Sequence, residues 1–346
     1  MTRDEVLDLF RRSGALLEGH FRLTSGLHSP GYLQCALVLS QPDFAERLGR
    51  ELAERVRTEF PDTHVHLVLE NGRNEARRLV RDEQRRPRWY NAQWNDDVHH
   101  VLHVATTRES SGYCADFAHG SQMLARAVAE GFAFQGEYAS FFDRERGKPS
   151  VELPPSAFVS FIQNHDQVGN RAFGERLHHI APEAAVRAAA ATYLWAPQIP
   201  MLFMGEEWGT TRPFQFFADF DGELADAVRK GRRNEFARFP EFSDPHKRER
   251  IPDPIDVATF HRSRLEWREL AEPQHAARLD WYRRMLTLRR EVIAPLLPRI
   301  QRGGSFDHKG EAVFSVEWTV QGTGRLHLAA NFSSRSEEHT SELQSH

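Results

Sequence analysis

The sequence predicts an α/β chain built on a parallel sheet of about four strands, and three observations carry that expectation. Short apolar runs alternate with amphipathic segments of helix length, as a parallel sheet with crossover helices requires. Each apolar run stops abruptly in polar residues. The run His64–Leu69 ends in Glu70-Asn71-Gly72, and Tyr90–Trp94 ends in Asn95-Asp96-Asp97. Phe158–Ile162 is followed by Asn164-His165-Asp166, and Ile199–Met204 by Gly205-Glu206-Glu207. Parallel strands that all release polar groups at their C-terminal ends are what a (β/α)8 barrel enzyme uses to build its site. Four such strands amount to half a barrel.

Composition excludes several alternatives. The chain has 346 residues, 27% of them charged, with a net charge of −4, so no basic field points to nucleic acid. Its two cysteines, Cys35 and Cys114, are far apart and fit a reducing compartment better than a disulfide framework. The N-terminus MTRDEVLDLF lacks the apolar core of a signal peptide, and no apolar run approaches the ~20 residues of a membrane span. A cytoplasmic protein with no membrane partner is expected.

Along the chain, residues 4–17 carry Val6, Leu9, Phe10, Leu16 and Leu17 at helical spacing. FRLTSGLHSPGYLQCALVLS (21–40) reads as two strands around a Ser/Gly/Pro turn. A helix follows with Phe44, Leu48, Leu52 and Val56 in one stripe, every fourth residue. Helices are also expected over Ser121–Gly131, Pro182–Trp195 and Leu279–Val292. The basic run after Ala225 (ADAVRKGRRNEFARF) reads as a solvated surface, and Glu311–Trp318 and Arg325–Phe332 as antiparallel strands.

Two carboxylates on neighbouring barrel strands suit glycoside hydrolysis, in which a retaining mechanism places acid and nucleophile about 5–5.5 Å apart. Taken singly, strand-end carboxylates such as Glu70 and Asp166 equally well cap helices. The motifs HLVLENGRNEA (66–76), YNAQWNDDVHHVLHV (90–104), FIQNHDQVGNRAFGERL (161–177) and IPMLFMGEEWG (199–209) occur in this order. Together they resemble the malto-oligosyltrehalose trehalohydrolases, a branch of the α-amylase superfamily, over about residues 51–334. The resemblance implies the C-terminal half of a (β/α)8 barrel and hydrolysis of the α-1,4 bond beside a terminal trehalose in maltooligosyl trehalose or a related α-glucan. It makes Glu70 the general acid/base, Asp166 the transition-state stabiliser and His165 a sugar-binding residue. Asn71, Trp94, Asp96, Asp97 and His100 become candidate substrate-binding residues. No cofactor is implied. The histidines His64/His66, His99/His100/His103 and His178/His179 lack a metal-ligand spacing and read as surface or subsite residues.

The resemblance also implies a nucleophilic aspartate about thirty residues before the acid. The residues there are CALVLSQPDFAERL, where Asp43 follows Pro42 at a helix start and suits an N-terminal-turn role instead. Residues 1–50, with GALLEGHF, FRLTSG and HSPGYLQCALVL, resemble the N-terminal hood of orotate phosphoribosyltransferases, yet no ribose-phosphate loop follows. RSEEHTSELQSH (335–346), back-translated, reads as a sequencing-library adapter.

The expected organisation is therefore a foreign α+β segment (1–50), a partial barrel (51–300), a truncated antiparallel β domain (301–334) and an artefactual tail (335–346). The chain is expected to be chimeric and, without the nucleophile, inactive. A phosphoribosyltransferase-related fragment and a non-catalytic glucan-binding chimera are the alternatives.

Overall fold

A computed structural model describes residues 1–22, 27–63, 65–118, 120–237, 239, 242–310 and 312–333. The tail 335–346, Leu23–Gly26 of the FRLTSG motif and His64 lie outside the described residues. The chain divides into two compact units. One comprises Met1–Leu67 with Pro87–Tyr90, the other Val68–Arg86 with Asn91–His346.

In the smaller unit, helix α1 (Arg3–Arg12) starts at a capping box. The Thr2 hydroxyl accepts from the Glu5 amide, and the Glu5 carboxylate accepts from the Thr2 amide at 2.7 Å. The helix stops at Arg12, because Gly14 takes a φ of +70°. Leu16 and Leu17, expected on the helix, therefore open strand β1 (Leu16–Arg22), which pairs antiparallel with β2 (His28–Leu33). Cys35–Leu39, expected as strand, forms the short helix α2 and buries Val38 against Leu9 and Ala15. Helix α3 (Pro42–Glu59) begins with Pro42 and carries Asp43 in its first turn, as a helix N-terminus favours. Its apolar stripe packs only in part: Phe44 and Leu48 join the small core, whereas Leu52 is 64% exposed.

The larger unit is built on a four-stranded parallel sheet in the order β3-β4-β7-β8. Strand β3 (Val68–Leu69) pairs with β4 (Ala92–Trp94) through Val68 and Ala92. Helices α4 (Asp96–Thr107) and α5 (Ser121–Glu130) and the hairpin of β5 (Gln135–Ala139) and β6 (Arg144–Gly147) precede β7 (Phe158–Ser160). Gln93 of β4 registers with Phe158 of β7. Three helices, α6 (His165–Gly169), α7 (Leu177–Ile180) and α8 (Glu183–Trp195), lead to β8 (Ile199–Pro200). All four expected strands exist, but each is only two or three residues long. An apolar run such as 64–69 suits a buried strand, yet Val68 is 44% exposed. β3 is an edge strand, bonded to a neighbour on one side only among the described residues.

Four further helices follow: α9 (Gly222–Phe236), α10 (Pro245–Glu249), α11 (Val257–Ser263) and α12 (Pro273–Leu288). The basic run on α9 is not simply solvated surface. Arg232 is only 7% exposed, and its guanidinium donates to the carbonyls of Gly169 and Arg171, both at 2.8 Å. An antiparallel meander follows, β9 (Ser305–Lys309), β10 (Val313–Val320) and β11 (Gly324–Asn331), with β10 central. β9 was not expected from its sequence, SFDHK, which is almost wholly polar. The inner face of β10 (Phe314, Val316, Trp318) joins one core with Val128 and Ala129 of α5 and Ala189 and Tyr193 of α8. The Trp318 indole donates to the Ala129 carbonyl at 3.2 Å.

Gly131 closes α5 at a φ of +101°, with the Phe158 ring of β7 packed where a side chain would begin. Gly131→Ala would both strain the backbone and displace that ring, and is expected to destabilise the larger unit by at least about 2 kcal/mol in urea unfolding.

Candidate active site

Glu70 stands at the C-terminal end of β3, on an exposed turn that buried amides hold from below. The Gln93 side chain, on the neighbouring strand, donates to the Asn71 carbonyl at 3.0 Å and to Asn74 Oδ1 at 2.9 Å. Asn71 Oδ1 accepts from the Arg73 amide at 3.1 Å, while its buried Nδ2 has no partner among the described residues. One face of this amide is therefore fixed.

The next strand, β4, ends in Asn95-Asp96-Asp97, and the two aspartates separate completely. Asn95 caps α4, accepting from the Val98 amide. Asp97 is fully buried, bonded to Arg146 at 2.6 Å and accepting the amides of Ala133 and Phe134 at 2.9 and 3.2 Å. Its expected substrate contact is thus corrected: helical geometry turns it about 100° from Asp96, into the core, where it ties β6 and the segment after α5 to α4. Asp96 faces the site, accepting from Gln167 Nε2 at 3.1 Å. Burial first, then the charges of Asp97, Glu70 and Asp166, push its carboxyl up to about 6, with Arg146 opposing. β3, β4 and β7 are adjacent and parallel, so Glu70, Asp96 and Asp166 all follow strand ends on the same edge of the sheet.

After β7, the Asn164 side chain caps α6 by accepting from the amides of Asp166 and Gln167 at 2.8 and 3.2 Å. This five-residue helix presents His165 and Asp166 to solvent. Asn170 Nδ2 donates to Asp166 Oδ1 at 2.7 Å, fixing one carboxylate oxygen. The half-buried Trp94 stands edge-on to the His165 ring, with centroids 6.1 Å apart. Arg171, just beyond α6, forks onto the Glu109 carboxylate with two contacts of 3.0 Å.

The histidines of α4 correct the surface-or-subsite reading. His99 and His103 are buried, and His99 Nδ1 pairs with the Ile162 carbonyl at 2.7 Å. His103 pairs with Glu109 at 2.7 Å, and that hydrogen bond leads the contacts that hold the Glu109 carboxyl down at about 2. His100 is half-buried against Tyr113 and Phe117, and burial drives its pKa well below the usual imidazole range, so it acts as a neutral ring. His178 and His179 both bond the Thr210 carbonyl. His103, Glu109 and Cys114 bring three metal-competent donors within 4.8 Å, but Arg171 already balances Glu109, and burial pushes the Cys114 thiol up to about 12. Sequence patterning missed the residues that set the site's geometry: Gln93, Gln167 and Arg232. The Gln within HDQ was the visible signal for one of them.

Folded Asp96 holds its proton more tightly than an unfolded aspartate of ordinary pKa 3.8. The resulting stabilisation is present below about pH 4 and is lost as pH rises through about 6. Asp96→Asn keeps an acceptor for Gln167 and is expected to be more stable than the parent at about pH 7. That difference should close below about pH 4, as urea unfolding at the two pH values would measure.

Comparison with known proteins gives two similarities within one chain. The chain is 42% identical over 270 residues to a malto-oligosyltrehalose trehalohydrolase of Arthrobacter ramosus, covering 77% of this chain and 46% of that protein. A crystal structure assigned to an alpha amylase of Salmonella typhimurium superposes with a TM-score of 0.76 at 44% identity, over 82% of this chain and 47% of that one. Over 55 residues the chain is 64% identical to the orotate phosphoribosyltransferase of Pelotomaculum thermopropionicum, which is 16% of this chain and 29% of that enzyme. No family model matches. The chain spans less than half the length of the trehalohydrolases it matches. Over most of its residues the chain is a homologue of the malto-oligosyltrehalose trehalohydrolases, and over a shorter stretch it is similar to an orotate phosphoribosyltransferase.

Proposed function

We propose that the larger unit carries part of the site of a retaining α-glucan hydrolase, acting on the α-1,4 bond beside a terminal trehalose. The observation that carries this reading is that Glu70, Asp96 and Asp166 follow the C-terminal ends of three adjacent parallel strands, β3, β4 and β7. In it, Glu70 donates a proton to the leaving glycosidic oxygen and later takes one from water. Asp166, with one oxygen tied to Asn170, and His165, edge-on to Trp94, bond sugar hydroxyls as oxocarbenium character develops. Asn71 and Asp96 complete the contacts, with His100 as a neutral wall.

In this reading the chain stops short of turnover. The aspartate found about where the nucleophile is expected, Asp43, sits in the first turn of α3, where its position suits helix stabilisation. We divide the chain at about residue 50, within α3, into a phosphoribosyltransferase-like segment (1–50), a partial barrel (51–300) and a β domain (301–334), in a reducing cytoplasmic setting.

Trehalose and reducing-end release from maltooligosyl trehalose tests the reading. No turnover is expected. Calorimetry is expected to show glucan binding that weakens about tenfold in His165→Ala. Turnover that Glu70→Gln abolishes would overturn the inactivity and call for a substitute nucleophile.

A further inference from the structure

His103, Glu109 and Cys114 form a cluster that the roles given to Glu70, Asp166 and His165 leave unused. Their donor atoms all lie within 4.8 Å of one another. His103 is on α4, Glu109 stands just past the end of that helix, and Cys114 belongs to the short 3-10 helix Gly112–Phe117. His103 and Cys114 are buried, while the Glu109 side chain is 36% exposed and opens the cluster to solvent.

The surroundings are those of a metal site. His99 stands one helical turn before His103, and the two ring centroids are 5.5 Å apart. Its Nδ1 is 2.7 Å from the Ile162 carbonyl, which can only accept, so the ring proton is on Nδ1. That leaves a lone pair on Nε2, which is buried and has no partner among the described residues. Metal-ligating histidines are held in the same way, with the other ring nitrogen donating to a carbonyl or carboxylate. His99 and His103 border the same small cavity, together with Arg171 and Glu175.

Arg171 neutralises Glu109 as the chain stands, and it has a second carboxylate within reach. Its Nε is 3.6 Å from Glu175 Oε2, a buried oxygen that accepts no hydrogen bond among the described residues. Withdrawal from Glu109 onto Glu175 exchanges one carboxylate partner for another. The donor set then selects the ion. A thiolate and an imidazole favour zinc and similar borderline ions, whereas Mg²⁺ and Ca²⁺ take oxygen donors. Zinc sits ~2.0–2.3 Å from such donors, so closing the cluster asks for movements on the order of 1 Å.

We propose that His103, Glu109 and Cys114 bind a thiophilic divalent ion of the zinc class, with His99 Nε2 completing four-coordination. Binding breaks the Arg171–Glu109 pair and the Cys114 S–H bond, whose proton passes to solvent, and forms bonds from the donors to the ion. The ion clamps α4 to the 3-10 helix that follows it. This site stands whether or not the glucan reading does.

Titration of the full chain with Co²⁺, a spectroscopic substitute for zinc, tests the site. One equivalent is expected to give a thiolate-to-cobalt charge-transfer band, which added zinc removes. Cys35→Ser, at the other, exposed cysteine, is expected to keep the band and Cys114→Ser to lose it. Zinc affinity is expected to fall about tenfold or more in His103→Ala. It is expected to rise severalfold in Arg171→Gln, which removes the competing guanidinium and whose gain misfolding cannot mimic. A parent without the band, a band that survives in Cys114→Ser, or zinc affinity that Arg171→Gln leaves unchanged or weakens overturns the site.

Discussion

Parallel strands of two or three residues make too few ladder hydrogen bonds to hold their own register, so the sheet of the larger unit depends on buried amides between and beneath the strands. Asn95 Nδ2 reaches the Gly131 carbonyl at 2.7 Å. The Gln198 side chain accepts from Ser160 and donates to the carbonyls of Ala127 and Val128 at 3.1 and 2.9 Å. Arg289 then donates to the carbonyls of Leu194, Ala196 and Gln198, each within 2.7 Å. Such a network is strong only while every member is satisfied. Each bond crosses between elements, so it fixes where β4, β7 and β8 stand along one another, and hence where Glu70, Asp96 and Asp166 emerge.

The same logic separates neighbours in sequence. Asp96 and Asp97 differ by one helical step, and that step decides between a polar cleft and a dry core. Asp97 has three polar partners, the Arg146 guanidinium and the amides of Ala133 and Phe134, which converge on it in the core. Asp96 has a neutral donor, Gln167, and its burial, followed by the like charges of Asp97, Glu70 and Asp166, raises its carboxyl to about 6 against the pull of Arg146. A second high-pKa carboxyl, Glu206, is fully buried and raised to about 6 by burial, with two tyrosines and Gln163 donating to it. Because Gln163 directly precedes Asn164, this buried group braces the entry to α6 from behind.

Much of this was legible in the chain. The four strand ends and the helices expected over Ser121–Gly131 and Pro182–Trp195 follow from local pattern, because periodicity is local physics; the caps at Asn95 and Asn164 emerge only in the structure. Three features were not. The extent of α1 was overread, since Leu16 and Leu17 keep helical spacing while Gly14 breaks the backbone. The role of Arg232 was invisible, because its carbonyl partners lie about sixty residues away and a carbonyl leaves no mark in a sequence. The fate of the α3 stripe was hidden for a related reason. Spacing makes Phe44, Leu48, Leu52 and Val56 equivalent, but only a tertiary partner decides burial, and the first two have one while Leu52 does not. That change in packing falls beside residue 50.

The edges of the sheet carry a consequence of their own. β3 and β8 each bond to a neighbour on one side only among the described residues, and Val68 and Ile199 there are 44% and 38% exposed. A strand edge with apolar side chains is a template that another molecule's strand can extend, unlike a closed barrel, which has none to offer. Association of this kind grows with concentration while folding of a single chain does not. The amount of protein present, and not only its sequence, therefore sets how long it stays dispersed.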